Sequence, residues 1–468
     1  MDEIRMSGVR TDRYRILAEE LTEGGAGGYE SRYLTSEGSP ASDALYAHLG
    51  KLNGGLLPVK NHMIRQRHGQ VLVDALADVK TLGVVSGFKP SGAYHFGHKL
   101  TSSAVAFFQR NGAQVFMPVA DVECEMDTKL TREQYQFWAA DNLVDWGANG
   151  VDLDAAHVYL QSEEHRVNEL AYRVARSLSL ELAVDIYGFK KLMEDFPFLF
   201  AGITQVGDIL IGQHPAFGND HSFMVSGQDQ DGHMKMTISL VERSRDAGIP
   251  IPGLKTVPSG FYIPHIRGLI GKQSSSLPEG TIYLGQGPDH ENLDDRVRTS
   301  VGKIDAAYAN PEMHGKLERC ALDMVRYIDF FNAHSRIDFP ELSQGAEHKG
   351  LLLKLEESRS GEEREAAQNS IDEYLIKTSA DGGQSNIELV RDSMREALAE
   401  HHGRRAKVIE YALERARPKD VEPWSSEDLR LQKPDFWKVP ERAVVDEAKR
   451  NKTQWFHMIA AAKDRLQP

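Results

Sequence analysis

Two histidines separated by two residues, His95 and His98, occur where side chains could hold a phosphate group. The apolar run before them, residues 82–85, predicts a buried strand; a turn with Gly and Pro follows, and residues 99–110 have the pattern of a helix. The histidines would then lie at the first helical turn, beside backbone N–H groups without helical partners. Gly97 between them has no side chain, so a flat ligand could lie against the backbone. The alternative is a pair of surface histidines on a loop, because one short motif has little specificity.

A second segment with phosphate-binding chemistry occurs much later in the chain. Lys272 is followed closely by three hydroxyl residues, Ser274, Ser275 and Ser276. A lysine ammonium is a compact positive charge, and serine hydroxyls and backbone N–H groups are further donors to phosphate oxygens. Taken alone, this segment could equally be a solvated, flexible loop.

A third segment places acidic and amide side chains after another apolar run, residues 223–225. Asp229 and Gln230 would lie between the carboxyl end of a strand and the start of a helix. Ligands of open α/β sheets bind at that edge. The alternative is that an aspartate here, Asp231 in particular, only caps the helix.

In this order, the three segments resemble the signatures of class I aminoacyl-tRNA synthetases. The run 226–231 is most similar to the tryptophan and tyrosine branch of that class, in the form found in its archaeal and eukaryotic tryptophan-specific members. Further similarity lies in residues 117–123, 185–189, 196–201, 281–284, 320–331 and 389–407. The resemblance therefore covers roughly residues 65–415.

The resemblance implies an ATP-dependent ligase that activates L-tryptophan to its adenylate, with Mg2+ as counterion, and transfers it to tRNA. It implies His95, His98 and Lys272 as catalytic residues. The implied ATP site consists of Pro90, Gly97, Asp229, Lys272, Ser274, Ser275 and Ser276. One departure is Gln273, where the family usually has methionine, and this departure predicts altered motion of the lysine loop.

The amino-acid site departs further from the family pattern. Glu123 and Gln230 would hold the α-ammonium group. Val85 replaces a tyrosine, and Pro118 and Phe200 replace glutamines, that the branch uses around the indole ring. Asp208 could accept the indole N–H of tryptophan or the phenol O–H of tyrosine, or it could be a helix cap.

These departures leave other functions open. One alternative is specificity for tyrosine or a related aromatic amino acid. Another is a paralogue that passes its aminoacyl adenylate to an acceptor other than tRNA. A third, a non-catalytic tRNA-binding protein, is disfavoured because it would have no need of His95, His98 and Lys272.

The chain is acidic, with 55 basic and 69 acidic residues and a net charge of −14. Contact with tRNA would therefore need a local basic surface, since phosphate contacts come from Lys and Arg. Arg404 and Arg405 are the candidates, at the end of a predicted helix over 387–404. The alternative is that they only complement the helix dipole.

Composition also limits the cellular context. Two cysteines cannot form a disulfide framework, no apolar run is long enough to cross a bilayer, and the amino terminus lacks an apolar signal segment. We therefore expect a cytoplasmic protein without membrane association. Without a Cys-x-x-Cys pair, a structural zinc site is not expected.

The order of elements predicts an α/β protein, with a Rossmann-like doubly wound parallel sheet followed by an all-α domain. We expect an amino-terminal extension over 1–60, a catalytic domain over 61–294 and a helical domain of the anticodon-binding type over 295–417. By resemblance, a connective segment at about 131–180 forms a homodimer interface. Residues 418–468 form an extension of unknown role, whose tryptophans predict packing on the body of the protein.

Overall fold

The structure is a computed structural model that describes residues 38–52, 65–77, 81–126, 129–273, 277–284, 300–323, 331, 386–416, 433–437, 439–450 and 455–466.

Within these residues, seven strands form one sheet in the order β1-β2-β7-β6-β3-β4-β5. Strands β3 to β7 run parallel, and β1 and β2 add an antiparallel edge. The chain passes from β3 outward through β4 to β5 and then returns to β6 on the other side of β3, so the winding direction reverses there. The predicted doubly wound sheet is confirmed. The strands are β1 (Ser39–Pro40), β2 (Arg65–Arg67), β3 (Leu82–Val85), β4 (Gln114–Val119), β5 (His157–Leu160), β6 (His221–Gly227) and β7 (Ser259–Ile263).

Helices cover both faces of this sheet and make up most of the later part of the described chain. The first ten are α1 (Asp43–Leu52), α2 (Gly69–Ala77), α3 (Phe96–Arg110), α4 (Asp121–Met126), α5 (Arg132–Ala148), α6 (His165–Ala175), α7 (Leu180–Tyr187), α8 (Phe189–Glu194), α9 (Pro197–Leu210) and α10 (Asp231–Asp246). The others are α11 (Ser300–Ala309), α12 (His314–Asp323), α13 (Asn386–Arg415), α14 (Trp455–Ala461) and α15 (Lys463–Leu466). None of the described helices has the length and apolar character to span a membrane.

Local capping explains where two helices near the site begin. Helix α3 starts at Phe96, earlier than the apolar pattern indicates, because Nδ1 of His95 accepts the N–H of Gly97 and so caps the helix. Helix α5 starts at Arg132, because Thr131 and Gln134 form a reciprocal capping box.

Helix α5 is enclosed by the chain itself. Its two tryptophans, Trp138 and Trp146, are buried, and it packs against α13 and α14. Most of this helix is therefore covered by the chain itself, and the homodimer interface at about 131–180 stays a prediction.

The described parts of the carboxyl-terminal extension pack on the body, as Trp437 and Trp455 predict, while Trp424 lies outside the described residues. The indole Nε1 of Trp437 donates to the carbonyl of Gly147, at the end of α5, over 2.8 Å. The rings of Trp437 and Trp455 lie 5.9 Å apart, and Tyr411 of α13 lies 5.5 Å from Trp437. This part of the chain thus fixes α5 against α13.

A buried ion pair joins α13 to α5. The guanidinium of Arg405, with 5% of its side chain exposed, lies 2.6 Å from Asp141 and 2.5 Å from Asp145. Burial raises the pKa of Asp141 to about 7, against the opposing effect of Arg405. His401 adds a 2.8 Å contact to Asp145 from the same face of α13.

The proposed tRNA contact of Arg405 is therefore wrong, because its guanidinium is buried and paired with two carboxylates. Arg404 is 15% exposed at its side chain, pairs with Glu400 over 2.5 Å and lies over the ring of Phe436. A basic cluster that looks solvated in the sequence is thus largely used for packing.

We predict that Arg405→Met destabilises the protein by about 3–5 kcal/mol, because it leaves two buried aspartates without their cation. Arg404→Met is the matched control, and its loss should stay within about 1 kcal/mol, because its i,i+4 partner Glu400 is 42% exposed. The free energy of unfolding in urea measures both. Equal losses for the two variants would contradict the assignment.

Candidate active site

A cavity of about 490 Å³ lies where the carboxyl ends of β3, β4, β6 and β7 meet. It is next to the reversal of winding between β3 and β6, where open α/β sheets bind ligands. Its walls include most of the residues that the sequence singles out, from segments far apart in the chain: Val85, His95, Gly97, His98, Pro118, Glu123, Asp208, Asp229, Gln230 and Lys272.

His95 and His98 stack on each other at the amino end of α3, with ring centroids 3.8 Å apart. Burial lowers the pKa of His98 to about 4. Burial, and then the charges of His98 and Lys272, hold the pKa of His95 well below its usual range. Both imidazoles are therefore neutral near pH 7, and each can donate one hydrogen bond.

The proton of His95 can be placed from the helix cap. Its Nδ1 accepts the N–H of Gly97 over 3.1 Å, so Nε2 carries the proton and is the donor. Nδ1 of His98 is buried without a hydrogen-bond partner among the described residues. Two stacked imidazoles with unused polar atoms suit a polar ligand at this helix end.

Lys272 lines the same cavity. A Cβ built on Gly97 would come within 3.5 Å of the backbone oxygen of Gln273, next to the lysine. The histidine segment and the lysine segment, which are far apart in the sequence, therefore lie next to each other. Gly271 before the lysine has φ +67°, a conformation that glycine adopts without strain.

Asp208 is a buried carboxylate in the wall of the cavity. It lies in the last turn of α9, so the interpretation as a helix-starting cap is wrong. The hydroxyl of Tyr159 donates to it over 2.8 Å and the amide of Gln161 over 2.6 Å. Burial raises the pKa of Asp208 to about 7, although both hydrogen bonds act to lower it. Each oxygen accepts one bond here and has a further lone pair for a ligand N–H or O–H.

The residues after β6, Asp229 to Asp231, have two different roles. Asp229 and Gln230 line the cavity. Asp231 is the first residue of α10 and accepts hydrogen bonds from Arg67 at 2.6 Å and from Tyr262 at 2.6 Å. It therefore joins α10 to β2 and β7, and the interpretation as a helix cap is wrong, because the N-cap residue is Gln230. Glu123, which also lines the cavity, pairs with Lys89 over 3.4 Å.

Some predicted residues lie elsewhere. Phe200 is 60% exposed on the outer side of α9 and does not line the cavity, so its assignment to the amino-acid pocket is wrong. Pro90 is buried beside the lining residues Lys89 and Ser91 without lining the cavity itself. Ser274, Ser275 and Ser276 lie outside the described residues.

Sequence reasoning missed several polar and aromatic residues of the pocket. Gln161 directly follows β5, and the rule that ligands bind at carboxyl ends of strands would have found it. Gln205 lies on the same face of α9 as Asp208, together with Phe198, whose segment 196–201 the resemblance did indicate. His233 lines the cavity from α10, bonded to the hydroxyl of Tyr187 over 3.0 Å, and burial lowers its pKa to about 4.

Comparison with known proteins agrees with this geometry. Residues 78–292 match the family model of class I tRNA synthetases (W and Y). The chain is 29% identical over 294 residues to the tryptophan–tRNA ligase of Methanocaldococcus jannaschii, covering 61% of this chain and 75% of that enzyme. It is 32% identical over 219 residues to the tryptophan–tRNA ligase of Methanopyrus kandleri, covering 45% of this chain and 55% of that one.

The fold has the same relatives. A tryptophanyl-tRNA synthetase from Encephalitozoon cuniculi, solved bound to tryptophan, aligns with a TM-score of 0.56 at 15% identity. That alignment covers 90% of this chain and all of the other. With the histidine and lysine segments meeting in one cavity, these findings confirm the resemblance: residues 78–292 of this chain match the class I aminoacyl-tRNA synthetases of the tryptophan and tyrosine group.

Proposed function

We propose that this protein activates L-tryptophan with ATP and transfers the tryptophanyl group to tRNA. The observation that carries the proposal is the single cavity in which His95, His98 and Lys272 face a buried carboxylate, Asp208. Three of these groups suit a polyphosphate, and the fourth suits the N–H of an aromatic side chain.

In the proposed activation step, a carboxylate oxygen of the amino acid attacks the α-phosphorus of ATP. The bond from that phosphorus to the bridging oxygen breaks, and pyrophosphate leaves. Such a transfer depends on holding the groups in line and on neutralising the charge that builds on the leaving group. Transfer of the aminoacyl group to the terminal ribose of tRNA then releases AMP.

The residues at the cavity have distinct proposed roles. Nε2–H of His95 and the ring of His98 donate to the triphosphate, and Gly97 leaves room for the adenine. Lys272 holds the β- and γ-phosphates as they leave. Asp229 binds the ribose, while Glu123 and Gln230 hold the α-ammonium group. Mg2+ enters only as the counterion of ATP, and no protein ligand is assigned to it.

Asp208 is the residue proposed to recognise the side chain of the amino-acid substrate. Val85, Pro118 and Phe198 give the pocket apolar walls, and Asp208 is the acceptor that Tyr159 and Gln161 fix in place. A site built around a buried polar group rejects ligands that leave this group unpaired. The same carboxylate would accept the phenol O–H of tyrosine, which is the alternative specificity.

The acceptor of the aminoacyl group is proposed to be tRNA, without a named phosphate contact, since Arg405 is buried. The family match of residues 78–292 and the long helix α13 support this acceptor. The cytoplasm is the expected compartment, and the two cysteines, which are buried and form no disulfide, are consistent with it.

We further propose a homodimer, formed through an apolar patch on α6, α7 and α9. Four large side chains of this region are exposed: Tyr172 at 70%, Leu180 at 56%, Phe196 at 53% and Phe200 at 60%. The rings of Phe196 and Phe200 lie 5.7 Å apart. Exposed apolar side chains grouped on adjoining helices are typical of a protein interface.

The function is tested by charging tRNA with labelled tryptophan. We predict that Lys272→Ala lowers the rate about 10²–10³-fold, because the leaving phosphates lose their cation, while tryptophan binding is unchanged. Lys255→Ala, a surface lysine paired with Asp220, is the matched control and should charge normally. Normal charging by Lys272→Ala would refute its role. A wild type that forms the adenylate and charges no tRNA would favour the non-tRNA acceptor.

The dimer is tested by sedimentation equilibrium. We predict twice the mass of the chain for the wild type and the mass of one chain for Phe200→Asp, because a charge would be desolvated in the interface. Val444→Asp, at a 40% exposed apolar residue of the extension, should remain dimeric. A monomeric wild type would overturn the proposal.

A further inference from the structure

Gln273, the residue after the catalytic lysine, is fixed by three side-chain hydrogen bonds. Only 5% of the residue is exposed. Its Oε1 accepts the N–H of Ile282 over 2.9 Å, and its Nε2 donates to the carbonyl of Arg267 over 3.3 Å and to Sγ of Cys320 over 3.4 Å. A methionine, the residue usual in the family, has no amide group and could not make this set of bonds.

Two of the groups around Gln273 connect it to helix α12. Cys320 lies on that helix, and burial raises the pKa of its thiol to about 12, so the sulfur is a neutral, weak acceptor. Asp323, also on α12, accepts from the backbone N–H of Arg267 at 3.0 Å and from its Nη2 at 2.6 Å. The loop is thus joined to α12 on both sides of Lys272.

Helix α11 holds the strand-like segment that follows. The ammonium of Lys303 donates to the carbonyl of Pro278 over 2.6 Å and to that of Thr281 over 2.7 Å. Within the loop, Arg267 and Lys272 form an antiparallel bridge, and the N–H of Gln273 donates to the carbonyl of Ile266 over 2.8 Å. The backbone at Lys272 therefore has little freedom to move without breaking contacts to α11 or α12.

We propose that Gln273 is a positioning residue that holds the ammonium of Lys272 over the phosphate site by joining the loop to helix α12. The position of Lys272 would then be fixed both by the sheet domain and by the helices that follow it in the chain. The proposal rests on the proposed function for the identity of the ligand. The hydrogen bonds that join the loop to α12 do not depend on that function.

The kinetic test compares ATP–pyrophosphate exchange by Gln273→Ala and Gln109→Ala. Gln109 is a matched control: it is also a buried glutamine bonded to backbone groups, N–H and carbonyl of Asp152, near the carboxyl end of α3 and about 20 Å along that helix from His95. We expect Gln273→Ala to lower kcat on the order of tenfold, as for about 1.4 kcal/mol of lost positioning, with the KM for tryptophan unchanged. Gln109→Ala should keep the wild-type kcat.

The structural test is hydrogen exchange of the backbone amides over residues 266–273, measured by mass spectrometry without substrates. We expect Gln273→Ala to exchange at least tenfold faster than the wild type in this segment, and Gln109→Ala to match the wild type. Equal exchange and equal kcat for the two variants would overturn the proposal.

Two further variants decide the matter should Gln273→Ala fail to fold. Cys320→Ser keeps an acceptor for the amide, and Cys320→Ala removes it. Faster exchange in Cys320→Ala alone supports the link to α12, and equal exchange in both refutes it. A wild type without any pyrophosphate exchange would refute the proposed function, while the hydrogen-exchange measurements would still test the link.

Discussion

The arrangement of the site depends on the buried pairing of Arg405 with Asp141 and Asp145. It fixes the long helix α13 against α5, which the chain also covers with its carboxyl-terminal extension. A lone buried charge is costly, so neither helix can move without exposing or separating these groups. The position of α13 is therefore strongly determined.

That constraint extends through aromatic contacts to the turn that carries His95 and His98. His401 lies beside Asp145 and stacks on Tyr94, with ring planes 4° apart and centroids at 5.9 Å. Tyr94 in turn contacts His98 at 5.5 Å. Helix α13 thus supports His98 through Tyr94, while α11 and α12 support the lysine loop. The histidine segment and the lysine segment thus both pack on helices that are far from them in the sequence.

The sheet and the phosphate-binding segments could be predicted from sequence because they depend on local patterns. Apolar runs gave β3 and the core of β6, and the histidine, lysine and Gly-x-Asp-Gln signatures are short and specific in combination. The sequence predicted less well which residues of α9 face the cavity. At 100° per residue, Phe198, Gln205 and Asp208 fall within an arc of about 80° on α9, whereas Phe200 lies about 80° to the other side of Asp208.

Arg405 shows where local patterns fail. Its cluster looks like a solvated basic surface, and only the tertiary pairing with α5 makes it a core residue. A signal was present in the sequence of α5. Asp141 and Asp145 are one turn apart in a segment rich in apolar residues, so burial of these two carboxylates requires a buried cation. The burial of Arg405 cannot be predicted from the sequence of α13 alone.

Specificity for the amino acid is the central claim, and pyrophosphate exchange with each common amino acid tests it most directly. For the wild type we expect exchange that depends on tryptophan. For Asp208→Asn, which keeps the shape but sets an amide against the indole N–H, we expect kcat/KM for tryptophan to fall about 10–100-fold. A preference for an aliphatic amino acid, or an unchanged kcat/KM in Asp208→Asn, would contradict the account.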